Sequence, residues 1–227
     1  MGNAREFKFG DRNLKIFLDG EADESVFREV FLDRDYMCLD DQIREASTIV
    51  DIGGHLGFFA MYAGILNPSA RIFVYEPDER NFGILKRHLK ENRIDNVMAK
   101  NVAVVGSGAD NAKMRDFYLN EDSHNHSLLD LEGRVKVVKV PVKSFSSVIG
   151  EGKDLVKMDC EGGEFEIFEG IDKGVLDRVG GFYVEYHEYE SGMKVDSIVN
   201  VLREGGFKIR KTPSRYDKRM GFVLGLR

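Results

Sequence analysis

The chain has 227 residues, a formal net charge of −6, two cysteines, no tryptophan and 42% apolar residues. That length accommodates one sizeable domain with a short appendage, and 16 Phe with 8 Tyr supply the apolar area that a disordered chain lacks. Cys38 and Cys160 are too few and too far apart for a disulfide framework or a cysteine-based zinc cluster, residues 1–11 are polar, and the longest apolar stretch, 57–66, is about half the ~20 residues of a membrane span.

A cytoplasmic protein without membrane attachment is therefore expected. Two short extended pieces, 7–9 and 14–18, flank Gly10-Asp11-Arg12-Asn13 and predict a hairpin. Asp23 or Ser25 is placed to cap a helix running to Asp33, with Val26, Phe27, Val30 and Phe31 on one face. Residues 48–52 form a buried-strand run that stops at Gly53-Gly54, and a helix over 57–66 ends at Asn67-Pro68. A strand over 71–75, an amphipathic helix over 79–92 and a third strand over 97–105 follow.

Residues 113–119 and 134–142 read as partly exposed strands around a polar segment, 120–130. The buried-strand pattern returns at 154–159, with a helix over 162–169, a fifth core strand over 182–187 and a helix over 195–203. A strand pair, 207–211 and 220–226, closes the chain. Strands alternating with helices mean βαβ units and a largely parallel sheet. The expected organisation is an N-terminal extension over 1–46 that packs on one α/β domain over 47–227.

Asp51-Ile52-Gly53-Gly54-His55-Leu56-Gly57 lies at a strand-to-helix turn, where open α/β sheets bind ligands. Its glycine spacing is not G-x-G-x-x-G, and no P-loop lysine accompanies it. A nucleoside ligand without phosphates fits better than a dinucleotide. The second strand runs into Glu76-Pro77, 25 residues beyond Asp51, about where a doubly wound sheet places the acid that accepts ribose hydroxyls.

Asp51, Gly53, Gly57 and Glu76-Pro77 resemble the cofactor motifs of class I S-adenosylmethionine-dependent methyltransferases. Lys157-Met158-Asp159-Cys160-Glu161-Gly162-Gly163-Glu164 is similar to the hallmark Lys-x-Asp-x-Glu-Gly-x-Glu of the FkbM-type family. Residues 30–36 and Glu185-Tyr186-His187 add to the likeness, which spans about 27–187. Gly163 departs from the alanine more usual in such sequences, a change worth up to ~1 kcal/mol of helix stability and none of the chemistry. The resemblance implies a doubly wound, mostly parallel seven-stranded Rossmann-like sheet with a closing antiparallel strand.

S-adenosylmethionine carries a sulfonium, an amino-acid head, a ribose diol and an adenine. Asp51 is expected near the cationic head and Glu76 on the diol, as charge-assisted partners. Gly53, Gly54, His55, Gly57 and Pro77 would form the cradle, while Tyr75, Phe58 and Asn101-Val102-Ala103 would wall the adenine. Phe58 reads more readily as core packing. Transfer to an acceptor hydroxyl needs a base, for which Asp159, Glu161, Glu164, Glu185 and His187 are candidates, with Asp159 also beside the cofactor. His187 is the foremost, because its ordinary pKa lies near neutrality.

Glu164 reads equally as a helix-start residue. The same donors could hold Mg²⁺ or Mn²⁺, but no spacing among them is diagnostic of a metal, so the base network is preferred. His124, His126 and Ser127 could belong to a substrate lid or to a plain surface loop, and Asn125-His126-Ser127 matches a glycosylation acceptor. A small-molecule or saccharide O-methyltransferase is the leading expectation. An NAD-dependent oxidoreductase and a non-catalytic cofactor-binding module are the alternatives.

Charge is unevenly spread. Residues 19–45 hold ten Asp or Glu against three Arg, and residues 203–227 hold eight Lys or Arg against Glu204 and Asp217. An acidic body argues against nucleic acid as a partner, while a homo-oligomer is compatible with the sequence. In the class it resembles, a hairpin between the last two strands overhangs the site. Here its tip would be residues 212–219, which suggests an anionic acceptor.

Overall fold

The computed structural model describes residues 4–107, 113–120, 126–130, 134–215 and 217–227. Strands β1 (Arg5–Phe9) and β2 (Arg12–Ile16) pair antiparallel around Gly10, as the hairpin signal requires. Helix α1 (Glu21–Phe27) starts from Gly20 and not from Asp23 or Ser25. Asp23 is diverted inward: its Oδ2 accepts from the Asp19 N–H at 2.8 Å and from Arg80 at 3.2 Å. The helical path continues through a π-type turn, Arg28–Leu32, which keeps Val30 and Phe31 buried with Phe27. A 3₁₀ turn (Asp35–Leu39) and α2 (Asp40–Glu45) lead into the sheet.

Next come β3 (Thr48–Ile52), α3 (Phe58–Leu66), β4 (Arg71–Tyr75), α4 (Glu79–Glu91) and β5 (Val97–Lys100). The third strand is shorter than expected. Asn101 Nδ2 donates to the carbonyls of Glu76 and Pro77, both at 2.9 Å, and bends the chain off the sheet. Strand β6 (Ala103–Val105) instead joins a separate three-stranded sheet with β7 (Met114–Asn120) and β8 (Arg134–Ser144).

After α5 (Phe145–Val148) the main sheet resumes with β9 (Asp154–Met158), α6 (Gly163–Glu169), α7 (Lys173–Leu176), β10 (Val179–His187) and α8 (Val195–Glu204). Strands β11 (Lys208–Pro213) and β12 (Met220–Leu226) close the chain. The seven strands run in the order β11-β12-β10-β9-β3-β4-β5, parallel except for β12.

Alternation within the strands divides the core into two layers. Ile49, Ile72 and Leu155 pack with α3, α4 and the N-terminal segment, whereas Val50, Val156 and Met158 pack with α5 to α8. The chain leaves β3 toward β4 on one side and returns as β9 on the other. That reversal opens a crevice at the carboxyl ends of β3 and β9. Among the described residues, no helix is long and apolar enough to cross a membrane.

Candidate active site

The crevice holds a cavity of about 620 Å³, within the range of small-molecule sites. One end is organised by the turns after β3 and β4. Gly53 has φ +78°, and a Cβ there would lie 1.6 Å from the Asp159 carbonyl oxygen, so only glycine fits. The N–H groups of Gly53 and Gly54 both donate to the Tyr75 carbonyl, at 3.0 and 3.1 Å, locking the two turns together.

His55 follows in the left-handed region at φ +47°, which aims its N–H at Glu76 Oε2, 2.7 Å away. The Asp78 N–H donates to Glu76 Oε1 at 2.8 Å. Glu76 is thus clamped on both oxygens while facing the cavity. Burial pushes its pKa up to about 8, with the two N–H bonds opposing.

The other end is built from side chains on β9, β10 and the turn between β9 and α6. Asp159, Glu161, Glu185 and His187 all line the cavity, so the two strands bring this predicted set together. Glu161 sits in the left-handed region at φ +53°. Its carbonyl accepts from Ser127 Oγ at 2.6 Å, and its Oε2 accepts from the Tyr189 hydroxyl at 2.5 Å. Burial raises the Glu161 pKa to about 7 against the attraction of His187. Glu185 is raised well above the carboxylate range by burial and then by Asp159.

His187 lies between two acids, with Nε2 3.7 Å from Glu161 and Nδ1 3.5 Å from Glu164. Burial alone would depress its pKa, but Glu161 and Glu164 outweigh that and hold it well above its usual value. His187 lines the cavity as one of the expected base candidates, with Glu161 and Glu164 on either side. Glu164 is fully buried, and its oxygens accept from the N–H groups of Cys160 and Gly162 at 2.7 and 2.9 Å. It closes the turn into α6 and stays off the cavity wall, as the helix-start reading expects.

Four expected cofactor residues act from behind the wall. Asp51 is buried beneath Gly54, with Lys157 Nζ 3.3 Å from Oδ1 and neither oxygen hydrogen-bonded. Burial brings Asp51 to about 6 despite Lys157. Lys157 also donates to the Gly53 carbonyl at 2.9 Å and lies 3.6 Å from Asp159. Gly57 starts α3 beneath Leu85, Asn101 fixes the Glu76-Pro77 turn, and Val102 is likewise absent from the lining. Gly53, Gly54, His55, Phe58, Glu76, Pro77, Ala103 and Asp159 do line it. Phe58 packs edge-on against Phe27 and Phe31, so its core role is confirmed as well.

Sequence reasoning missed Tyr189, Lys157 and Glu29. Tyr189 continues the two-residue alternation of Glu185 and His187, and its ring stacks on His187 at 5.4 Å. Lys157 is a charge within the fully buried strand β9, a pattern that signals a buried ion pair. Glu29 reaches the cavity from the π-type turn, which no periodicity marks, and burial raises it to about 7.

Of the polar segment, His126 and Leu128 line the cavity, while His124 and Asn125 lie outside the described residues. The closing hairpin reaches the mouth as expected. Thr212, Pro213, Ser214 and Arg215 line the cavity with Arg210, as do Glu29, Asp33 and Asp35. Lys218 is not on the wall, and Arg219 is paired with Asp217 at 2.7 Å.

Comparison with known proteins bears on this site. Residues 51–209 match the family model described as the methyltransferase FkbM domain. Methyltransferase 1 of Beauveria bassiana is 26% identical over 185 residues, covering 71% of this chain and 72% of that one. The 31-O-demethyl-FK506 methyltransferase FkbM of Streptomyces tacrolimicus is 24% identical over 220 residues, covering 84% and 83%.

Among solved structures, methyltransferase FkbM of Methylobacillus flagellatus superposes with TM-score 0.52 at 15% identity, over 79% of this chain and 43% of that chain. The magnesium protoporphyrin IX methyltransferase of Synechocystis, solved with bound SAM, gives TM-score 0.56 at 11% identity over 93% and 86%. Both show a methyltransferase fold, and the second of them carries SAM in it.

Proposed function

Since the chain belongs to the FkbM methyltransferase family, we propose that it moves the methyl group of S-adenosylmethionine to a hydroxyl oxygen of a small molecule or saccharide. The observation that carries this reading is the doubly clamped Glu76 carboxylate, facing the same cavity as the Asp159–Glu161–Glu185–His187 cluster. A fixed carboxylate suits a vicinal diol, because each oxygen keeps a lone pair for one ribose hydroxyl. No phosphate cradle is needed for this cofactor.

In the reaction the acceptor oxygen forms a bond to the methyl carbon as the carbon–sulfur bond breaks. The electron pair stays on sulfur, and the hydroxyl proton goes to a base. Glu185 is the base on this reading. It faces the cavity, and burial beside Asp159 gives it affinity for a proton. His187 stands between Glu161 and Glu164 and fixes the cavity wall beside the base. The name of the Streptomyces relative, a 31-O-demethyl-FK506 methyltransferase, favours oxygen over nitrogen.

Calorimetry with S-adenosylhomocysteine and with NAD tests the cofactor. Heat with the first and none with the second is expected; no heat with S-adenosylhomocysteine would sink the assignment. Transfer of labelled methyl groups into extract of cells lacking the gene then tests catalysis against mere binding.

A further inference from the structure

Asp159, Glu161 and His187 each present one donor atom, and the three lie within 4.8 Å of one another at the cavity wall. From these contacts we propose that they hold a divalent first-row cation of the Mn²⁺ type, which binds the acceptor oxygen. The proposal rests on the methyl-transfer reading for its purpose, though not for its geometry.

Two ligand atoms about 2.1–2.2 Å from a common ion, at angles of 90–120°, stand about 3.0–3.7 Å apart. His187 Nε2 and Glu161 Oε2 stand 3.7 Å apart, too far for a hydrogen bond and right for a shared ion. One imidazole with carboxylates is a donor set for Mn²⁺ rather than Ca²⁺.

The surroundings supply the second observation. Metal-bound histidines turn their remaining ring nitrogen toward a carboxylate, and bound carboxylates are themselves hydrogen-bonded. His187 Nδ1 is buried, has no hydrogen-bond partner, and lies 3.5 Å from Glu164 Oε1. Glu164 in turn is held by two backbone N–H groups. Tyr189 donates to Glu161, and Ser127 pins the Glu161 backbone in its left-handed conformation.

Charge at this end is also unbalanced. Lys157 is shared among Asp51, the Gly53 carbonyl and, at 3.6 Å, Asp159, and among the described residues no Lys or Arg forms an ion pair with Glu161 or Glu185. A bound cation would ease ionisation of the acceptor hydroxyl, with its proton passing to Glu185.

The test is a Mn²⁺ titration followed by electron paramagnetic resonance, on protein saturated with S-adenosylhomocysteine so that no sulfonium supplies the missing charge. One bound equivalent with nitrogen modulation from an imidazole is expected. His187→Ala should abolish that modulation, and Glu161→Gln should weaken binding tenfold or more.

If His187→Ala does not melt cooperatively, Tyr189→Phe reads the same site and should weaken Mn²⁺ about tenfold. Unchanged affinity in Glu161→Gln and Tyr189→Phe overturns the proposal. So does the absence of a stoichiometric site on protein that binds S-adenosylhomocysteine, an outcome that leaves the methyltransferase reading standing. Failure to bind S-adenosylhomocysteine overturns that reading instead, and the Mn²⁺ titration still decides the site.

Discussion

At the Glu76 end of the cavity the main chain does the organising, through positive-φ residues and N–H groups aimed at one carboxylate. At the His187 end the organising is done by charged side chains that modify one another across two strands. The contrast separates two tasks. A cofactor of fixed shape needs a rigid mould, while a proton transfer needs groups whose proton affinity depends on their neighbours. If the division is real, damage at one end should leave the other measurably intact.

The largest effect is expected from Glu185→Gln, which removes the proposed base but keeps its size. Loss of a general base lowers kcat by about 10²–10⁴-fold, while affinity for S-adenosylhomocysteine stays at the wild-type value. Single-turnover methyl transfer with the cofactor saturating reads the first quantity and calorimetry the second. A kcat within threefold of wild type would remove Glu185 from the reaction.

Glu76→Ala attacks the opposite end. Above about pH 8, where this carboxylate is ionised, losing its hydrogen bonds costs about 1.5–3 kcal/mol, or roughly 10- to 150-fold in S-adenosylhomocysteine affinity. At saturating cofactor kcat should hold. Equal binding by the variant would remove the ribose role and blur the distinction between the ends.

The same carboxylate should show itself in stability before any ligand is added. Its folded pKa of about 8 exceeds the ordinary 4.5, so the unfolded chain ionises first and folded Glu76 keeps its proton longer. Stability from this group is therefore complete below about pH 4.5 and is lost as pH rises toward 8. The slope is at most about 1.4 kcal/mol per pH unit. Glu76→Gln should flatten the melting temperature between pH 6 and 8 relative to the wild type. A wild-type protein whose stability rises over that interval contradicts the sign.

The two ends also differ in how much of them the sequence disclosed. Gly53 and Glu76 were legible because backbone geometry imposes fixed spacing along a strand and its turn. Most of the strand and helix order was legible for the same reason, since buried strands and amphipathic helices have regular periods. The break between β5 and β6 was not, because it depends on Asn101 reaching back to Glu76 and Pro77. At the His187 end the sequence pointed to four residues that the fold brings to one wall, but it left the roles of His187 and Glu164 open. A histidine near neutrality in isolation gains proton affinity once two acids flank it, and only the crossing of β9 and β10 reveals those neighbours. Asp51 shows the converse: its motif identified it, and its burial beneath Gly54 places it behind the wall.

The smallest expected effect lies at the mouth, where the chain's uneven charge meets itself. Arg210 and Arg215 line the cavity together with Glu29, Asp33 and Asp35, so its charged lining is mixed rather than uniformly basic. We propose that an anionic group on the acceptor rests against the hairpin side. Arg215 is exposed, and exposed charge pairs contribute about 0.2–1 kcal/mol, so Arg215→Glu should raise KM for the acceptor a few-fold at low salt. The effect should shrink as salt is added, because the interaction is screened. Lys218→Glu, off the wall, should change KM less, and neither variant should alter S-adenosylhomocysteine binding. A KM that falls in Arg215→Glu would place the acceptor's charge on the acidic side and assign it a cation. The N-terminal segment would then be the specificity surface, and the basic hairpin its counterweight.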